Sequence, residues 1–471
     1  MIVNSDQNIM QETYNKIKAT ISNLIFISIL LCFNSFATTT IKNNPKNNFD
    51  LAQIIRSIAL IYTDDKLNPE VEEFLNNKHE IIWEDNAYVY LWGMDKKTDD
   101  PYKIGQEVLL KILDENKLFH HEKHPYNNEL LDEYQHYETP NNDLLCEKHK
   151  KSCFHKIIQN SDDIIKLVKK YSLPIDRYLK FLKFNHYKQI SGLLYDSPAP
   201  PYRFMIVGQR LYHLSLIQEL NSNSNFKIID ELNIELTYIK QKLKRADDLL
   251  SKMIMVAILA ENIEFFNLLY QNNLIKLNSK HVYQIFQPLT MEEMSTYAAL
   301  KNDHYMILKS VYSICKNPEI LFEKSYKLMT IRLFKLLAFF VIKPNLSVNT
   351  QYFKVSKPIL EIIKLTQKQF YIKQSQFNKK VTHNNIRNYV GSKYFNIESI
   401  DYLGYQARVF DLDMKIQLMR LLIQSESIDN LKTGDKFLSS YDQTKAFIKN
   451  EKICYSGLTE NSEEYRCLLI N

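Results

Sequence analysis

The sequence predicts an all-α protein, a multi-helix array of stacked helix pairs (solenoid-like or an irregular bundle) with a small β-hairpin at the C-terminus. Three observations predict it. Apolar residues recur at steps of three and four through most of the chain, the period of amphipathic helices. A weak pattern of helix, polar turn and helix occurs twice, at Ala257–Leu269 and Ala298–Ser310, with a spacing of 41 residues. Two β-favouring segments near the end, each with one cysteine, flank a polar turn region.

The N-terminus reads as an export signal. Lys16 and Lys18 precede an apolar run from Leu24 to Phe33, followed by Ser35-Phe36-Ala37-Thr38. A run of about ten residues falls short of the roughly 20 that span a bilayer, and the small residues at Ser35 and Ala37 fit an A-x-A-like cleavage site after Ala37. Met10 is an alternative start that keeps both lysines. The alternative fate is an uncleaved anchor over residues 21–37, the only membrane contact expected. Leu31 before Cys32 argues against lipid attachment. The domains expected are a signal peptide (1–37), an N-terminal helical domain (38–197), a helical-array domain (198–430) and a C-terminal tail (431–471).

The elements follow in order. Leu51, Ile54, Ile55, Ile58 and Tyr62 share one face of a helix from about Asp50 to Tyr62. The aromatic segment Trp83–Gly93 predicts a short buried helix ending at Gly93. Val108, Leu109, Ile112 and Leu113 mark a helix over Lys103–Lys117, entered through Asp100-Pro101. Residues 118–145 are polar and read as a surface loop. Its histidines, His120, His121, His124 and His136, are expected to be exposed rather than metal-bound, since Pro125 disrupts the helical face that His120 and His124 would need.

Ile157, Ile164, Ile165, Leu167, Val168 and Tyr171 restore the helical period. Pro174 then opens a further helix through Tyr178 and Leu182. Ser197-Pro198-Ala199-Pro200-Pro201 is the clearest break and marks a subdomain boundary. Ile229, Leu232, Leu236, Ile239 and Leu243 form a coiled-coil-like seam. In the two repeat-like segments the turns are expected at Asn262 and Asp303, although ankyrin- or HEAT-like stacking needs about three units for a continuous core. The run Leu333–Ile342 contains Lys335 and stops before Pro344, so it reads as a central helix. Lys452–Gly457 and Tyr465–Ile470 predict the terminal hairpin.

Composition excludes several functions. The net charge is +6, and losing residues 1–37 leaves it unchanged because Lys16 and Lys18 depart with Asp6 and Glu12. Spread over so long a chain it implies no nucleic-acid surface, and the densest basic run, Lys240–Arg245, lies on a helix just before Asp247 and Asp248. The eight glycines include no phosphate-binding G-x-G-x-x-G or G-x-x-x-x-G-K arrangement. There is no H-E-x-x-H, G-x-S-x-G or paired C-x-x-C either. No cofactor is implied.

Export makes sense of the cysteines. Local disulfides Cys146–Cys153 and Cys454–Cys467 are expected in an oxidising compartment, leaving Cys315 as a buried free thiol. A zinc site at Cys146, Cys153, His149 and His155 is the less favoured alternative.

Several segments occur in an order similar to that of an uncharacterised family of exported proteobacterial proteins: Asp85–Asp95, Asp100–Gly105, Cys146 and Cys153, Pro200–Leu211, Leu249–Leu259, Lys343–Asn349 and Ala407–Leu421. The chain resembles a divergent member over most of residues 80–425. The resemblance implies a shared helical fold and no particular reaction.

Within those segments Arg210, Arg408, Asp411 and Asp413 form the candidate polar cluster. Arg408 and Asp411 are spaced for an i, i+3 ion pair, with Asp413 close by. Arg210 follows Gly208, which permits close helix approach, and anion binding is its alternative role. Lys252 is expected beside the carboxylates Asp247 and Asp248. The favoured function is a non-enzymatic scaffold or partner-binding protein of the cell envelope, periplasmic or secreted, with a protein partner. The alternative is a carboxylate-based hydrolase or carbohydrate-active enzyme using Asp85, Asp411 and Asp413.

Overall fold

The computed structural model describes residues 65–76, 81–119, 134–140, 142–145, 151–190, 197–222, 227–276, 284–316, 343–376, 402–425, 438–458 and 462–470. In chain order the helices are α1 (Pro69–Asn76), α2 (Ala87–Gly93), α3 (Pro101–Phe119), α4 (Lys151–Gln159), α5 (Ser161–Lys170), α6 (Ser172–Lys183), α7 (Tyr202–Ser222), α8 (Ile228–Arg245) and α9 (Leu249–Gln271). They continue as α10 (Met291–Met294), α11 (Tyr297–Lys316), α12 (Pro344–Gln351), α13 (Lys357–Ile362), α14 (Gln367–Gln376), α15 (Tyr402–Gln424) and α16 (Glu463–Arg466). Three short strands, β1 (Phe447–Lys449), β2 (Lys452–Cys454) and β3 (Cys467–Leu469), form one antiparallel sheet in the order β1-β2-β3. The fold is therefore all-α with a C-terminal sheet, as the periodicity predicts. The signal segment, the Asp50–Tyr62 helix and the Leu333–Ile342 run lie outside the described residues.

Two compact units divide the chain. The smaller comprises Met1–Asn77, Ile307–Lys357 and Asn378–Ile400. In it, α1 and α12 are joined by asparagines of the Lys343–Asn349 segment. Asn345 Nδ2 donates to Asp65 O at 2.8 Å, Asn349 Nδ2 donates to Lys66 O at 2.8 Å, and Asn349 Oδ1 accepts from Asn68 N at 2.9 Å. Asn345 and Asn349 are four apart and so share a helix face. Phe74 and Tyr352 pack with ring centroids 5.1 Å apart.

The larger unit comprises Lys78–Met306, Pro358–Phe377 and Asp401–Asn471. α2 is apolar on every side and all of it is buried. It lies so close to α3 that a Cβ on Gly105 would run into Val89 O, and one on Gly93 into Pro101 O. Asn86 caps α2 by accepting from Tyr88 N at 3.1 Å and binds the 184–190 connection through Lys188 N and Lys188 O. α6 and α7 also approach closely at Gly208, where an added Cβ would stand 2.8 Å from Tyr178 Cβ and 2.7 Å from Pro174 O. The Ser197–Pro201 segment leads into α7 and lies within this unit.

α9 and α15 form the centre, and both are buried on almost every face. α8 packs on α9 with Leu232, Leu236, Ile239 and Leu243 of the predicted seam buried and Ile229 half-buried. The expected turns at Asn262 and Asp303 are absent, because α9 and α11 run through both positions without a break. Asn262 suggested a turn because it interrupts an apolar run, yet it is fully buried and spends its amide on a carboxylate of α8.

The C-terminal segment is docked rather than free-standing. β2 and β3 are the predicted pair, with Cys454 opposite Cys467 and a disulfide joining them. β1 is an additional strand, turned into β2 at Asn450 and Glu451, whose φ values of 49° and 56° are the left-handed backbone conformation that a two-residue hairpin loop favours. β3 packs against both α9 and α15. Cys146 lies outside the described residues, as does the side chain of Cys153, and with them the second expected disulfide. Cys315 carries a free, half-buried thiol that burial pushes up to about 12.

Candidate functional site

The four residues of the expected polar cluster do not form one site. Arg210, on α7, donates from Nε to Glu261 Oε2 at 3.1 Å, from Nη2 to Glu261 Oε1, and from Nη1 to Leu145 O at 3.1 Å. Its anion is thus a carboxylate of α9, gripped in the two-pronged geometry that guanidinium favours. Close approach at Gly208 accompanies this, as expected.

The Arg408–Asp411 pair does not form. Arg408 lies over the Tyr405 ring at 4.8 Å, whereas Asp411 is fully buried. Asp411 accepts from Arg466 Nη1 at 3.1 Å and from Tyr441 Oη at 3.1 Å. Spacing along one helix suggested Arg408 as the partner and missed Arg466, 55 residues away. Burial pushes the Asp411 carboxyl up to about 6 against the opposing pull of Arg466. Asp413 accepts from Leu289 N at 2.7 Å and Gln417 Nε2 at 2.7 Å. Asp85 sits on an exposed turn and accepts from Asn185 Nδ2 at 2.5 Å. Each of these three acids is committed to a different structural contact.

Lys252 also departs from expectation. Its ammonium turns away from Asp247 and Asp248 to Leu243 O at 2.6 Å and Glu293 O at 3.0 Å, carbonyls in the last turns of α8 and α10. Helix C-termini attract cations, but burial dominates and lowers its pKa to about 7.

The densest buried polar group centres on Glu235 of α8, which is 1% exposed. Tyr178 Oη donates to it at 2.7 Å, Asn262 Nδ2 at 2.6 Å and Gln209 Nε2 at 3.4 Å, while His213 Nε2 stands 2.8 Å from Oε2. The His213 ring stacks on Phe265 with centroids 4.3 Å apart. Four helices are joined at one carboxylate, and its lone pairs are filled by the protein itself.

A different arrangement occurs at the N-terminus of α9. Asp248 caps the helix by accepting from Ser251 N at 2.8 Å. Asp247 Oδ1 accepts from Gln189 N at 2.7 Å, and Asp303 Oδ1, on α11, accepts from Leu249 N at 3.4 Å. Three carboxylates from two elements thus meet with backbone amides as partners, and Lys188 is the cation whose charge reaches Asp247. Burial, with the Asp248 charge adding to it, pushes Asp247 up to about 7 and Asp303 up to about 8. Beneath them Tyr202 Oη and Ser251 Oγ are 2.7 Å apart, with the buried Tyr187 hydroxyl beside both. Burial raises Tyr88, Tyr187 and Tyr202, and Asp248 raises each further.

A carboxyl that keeps its proton near neutral pH has the property of a general acid. Asp247 and Asp303 are the acids at the N-terminus of α9 that have this property. The sequence presented Asp247 only as part of a helix cap and Asp303 only as a turn. For Asp303 the available signal was an acid within an uninterrupted helical period; Asp247, between two helices, offered none.

Among the described residues no group of three histidine, cysteine or acidic side chains is arranged to hold a metal. His136, the described member of the loop histidines, lies 2.5 Å from Asp95 Oδ2 and 2.9 Å from Lys96 Nζ. His120, His121 and His124 lie outside the described residues. No described helix is long and apolar enough to cross a membrane. No family model, curated protein or solved structure matches this chain.

Proposed function

We propose that this chain is a non-enzymatic helical protein of the cell envelope, exported through its N-terminal segment and acting by binding a protein partner. Membership of the exported proteobacterial family it resembles belongs to the same proposal. The observation that carries it is the saturation of the Glu235 carboxylate by donors from three other helices, a use of buried polar groups to fix one packing rather than to react. Buried Glu264 and Asp411 and half-buried Glu261 are committed to the fold as well, since each meets a cation of the protein. The Cys454–Cys467 disulfide supports an oxidising compartment, periplasmic or secreted. Crosslinking in the envelope fraction followed by purification of the tagged chain tests the proposal. Recovery of a specific protein partner is expected, and failure to recover one overturns it.

A second reading, a carboxylate-based hydrolase or carbohydrate-active enzyme, is favoured by one observation, the convergence of Asp247 and Asp303 on Asp248 at the N-terminus of α9, where burial raises both. Turnover of aryl glycosides by the wild-type chain that disappears in Asp303→Asn would establish it.

A further inference from the structure

The C-terminal segment completes polar groups of the two central helices. Asp411 of α15 is fully buried, and it accepts hydrogen bonds from Tyr441 and Arg466, both beyond α15. Glu264 of α9 and Lys415 of α15 pair with each other, and each also binds backbone of the segment, at Leu469 N and Glu464 O. Asn267 and Gln271 of α9 donate to Leu469 O at 2.9 Å and 2.5 Å. Without residues 464–469 these groups lose partners, and a buried charge left short of partners is costly.

The disulfide frames the part of the segment that does this. Cys454 and Cys467 stand opposite each other in β2 and β3, and Cys467 directly follows Arg466. Residues 455–457 close over that arginine. Tyr455 N donates to Arg466 O at 3.3 Å, and a Cβ on Gly457 would stand 2.5 Å from Arg466 Cδ. Strands of three residues make a marginal sheet by themselves, so the covalent link and the helices beneath share the task of holding the register. Both half-cystines are buried, Cys454 at 2% and Cys467 at 3% exposure. Reduction begins with a thiolate attacking one sulfur, so access controls it.

Resting on the export reading above, which supplies the oxidising compartment, we propose that the Cys454–Cys467 bridge is a one-way oxidative latch. Once formed, it seats residues 462–470 on α9 and α15, and the seated segment then shields the bridge from reduction. Closing the latch joins the two sulfurs, and the thiols pass two protons and two electrons to a disulfide oxidant, which leaves as two thiols. Until that oxidant is met outside the cytoplasm, the reduced chain keeps its C-terminal segment unseated.

The test uses the full wild-type chain, unfolded in urea with dithiothreitol and refolded with either reduced or oxidised glutathione. Hydrogen exchange read by mass spectrometry reports the seating of residues 462–470, and protection of α2 and α3 reports folding elsewhere in the same unit. After oxidative refolding the 462–470 peptide is expected to exchange at least about tenfold more slowly than after reductive refolding, with α2 and α3 protected in both. Thiols should appear at least about tenfold more slowly when dithiothreitol is added to the folded oxidised chain than when it is added in urea. Equal protection of 462–470 in the two refolded chains, or equally fast reduction with and without urea, overturns the latch. So does loss of protection in α2 and α3 along with the segment, which would make the bridge a requirement of the whole fold. Cell fractionation separates this from the export reading. A chain that refolds as expected but resides in the cytoplasm keeps the latch and removes that reading, whereas an envelope chain that seats its segment when reduced does the opposite.

Discussion

Lys415 of α15 and Glu264 of α9 form an ion pair of 2.9 Å in which each side chain is 2% exposed. The pair also holds the C-terminal segment, since Lys415 Nζ donates to Glu464 O at 2.9 Å and Glu264 Oε1 accepts from Leu469 N at 3.2 Å. Taking two charges out of water is costly, and the remaining donors and acceptors must be satisfied for the pair to persist. Here the backbone of the last residues satisfies them. With Asp411–Arg466 it makes the tail part of the central helix packing.

Removing one partner should therefore cost more than removing both. Lys415→Met leaves Glu264 buried and unpaired and is expected to destabilise by about 3 to 5 kcal/mol. Adding Glu264→Gln should recover a large part of that loss. Urea denaturation of the three proteins measures it, and a double variant less stable than Lys415→Met would contradict the pairing.

Gly208 is a steric prediction. An added methyl meets Pro174 O and Tyr178 Cβ, neither of which is the far end of a flexible side chain. Gly208→Ala is expected to lose about 1 to 3 kcal/mol by overpacking, despite alanine's better helix propensity. A stabilised variant, read by its urea midpoint, would show that α6 and α7 do not approach this closely.

The acids at the N-terminus of α9 give the pH dependence. A carboxyl whose folded pKa is raised makes no contribution below its unfolded value near 4, and it destabilises increasingly as pH rises toward the folded value. Asp303, pushed up to about 8, should therefore lower stability progressively between about pH 4 and pH 8. Asp303→Asn removes the charge and keeps an oxygen for Leu249 N. Relative to wild type it should gain Tm as pH rises from 4 to 8, whereas a pH-independent difference would place Asp303 in water.

The turn between β1 and β2 is open to improvement. Glu451 has a φ of 56°, a region unfavourable for a residue with a side chain and natural for glycine. Glu451→Gly creates the Asn-Gly pair preferred in such turns and is expected to stabilise by about 1 kcal/mol. A loss of stability would mean that the Glu451 side chain matters more than its backbone conformation.

Most of the helices were legible because their signals are local. Val108, Leu109 and Ile112 mark α3 by period alone, and Leu232 to Leu243 mark the seam of α8 by steps of three and four. The cysteine-bearing strands were legible from β-favouring residues, while β1 was not, because a three-residue strand with both faces exposed has no burial pattern. The polar site was hardly legible. Asp411 meets Arg466 and Glu235 meets Asn262 only through the packing of distant helices, and no spacing along one helix encodes either pair. Asn262 and Asp303 read as turns because a polar residue within an apolar run signals a break when its buried partner is unknown.

The most direct test of the central claim, that the chain binds a protein partner and does not catalyse a reaction, is crosslinking and purification of the tagged chain from the envelope fraction. Wild type, Asp247→Asn and Asp303→Asn are compared, with aryl glycoside turnover assayed on the same preparations. The expected result is one specific partner recovered equally with all three and no turnover by any. Absence of a partner, together with wild-type turnover that either substitution abolishes, would contradict it.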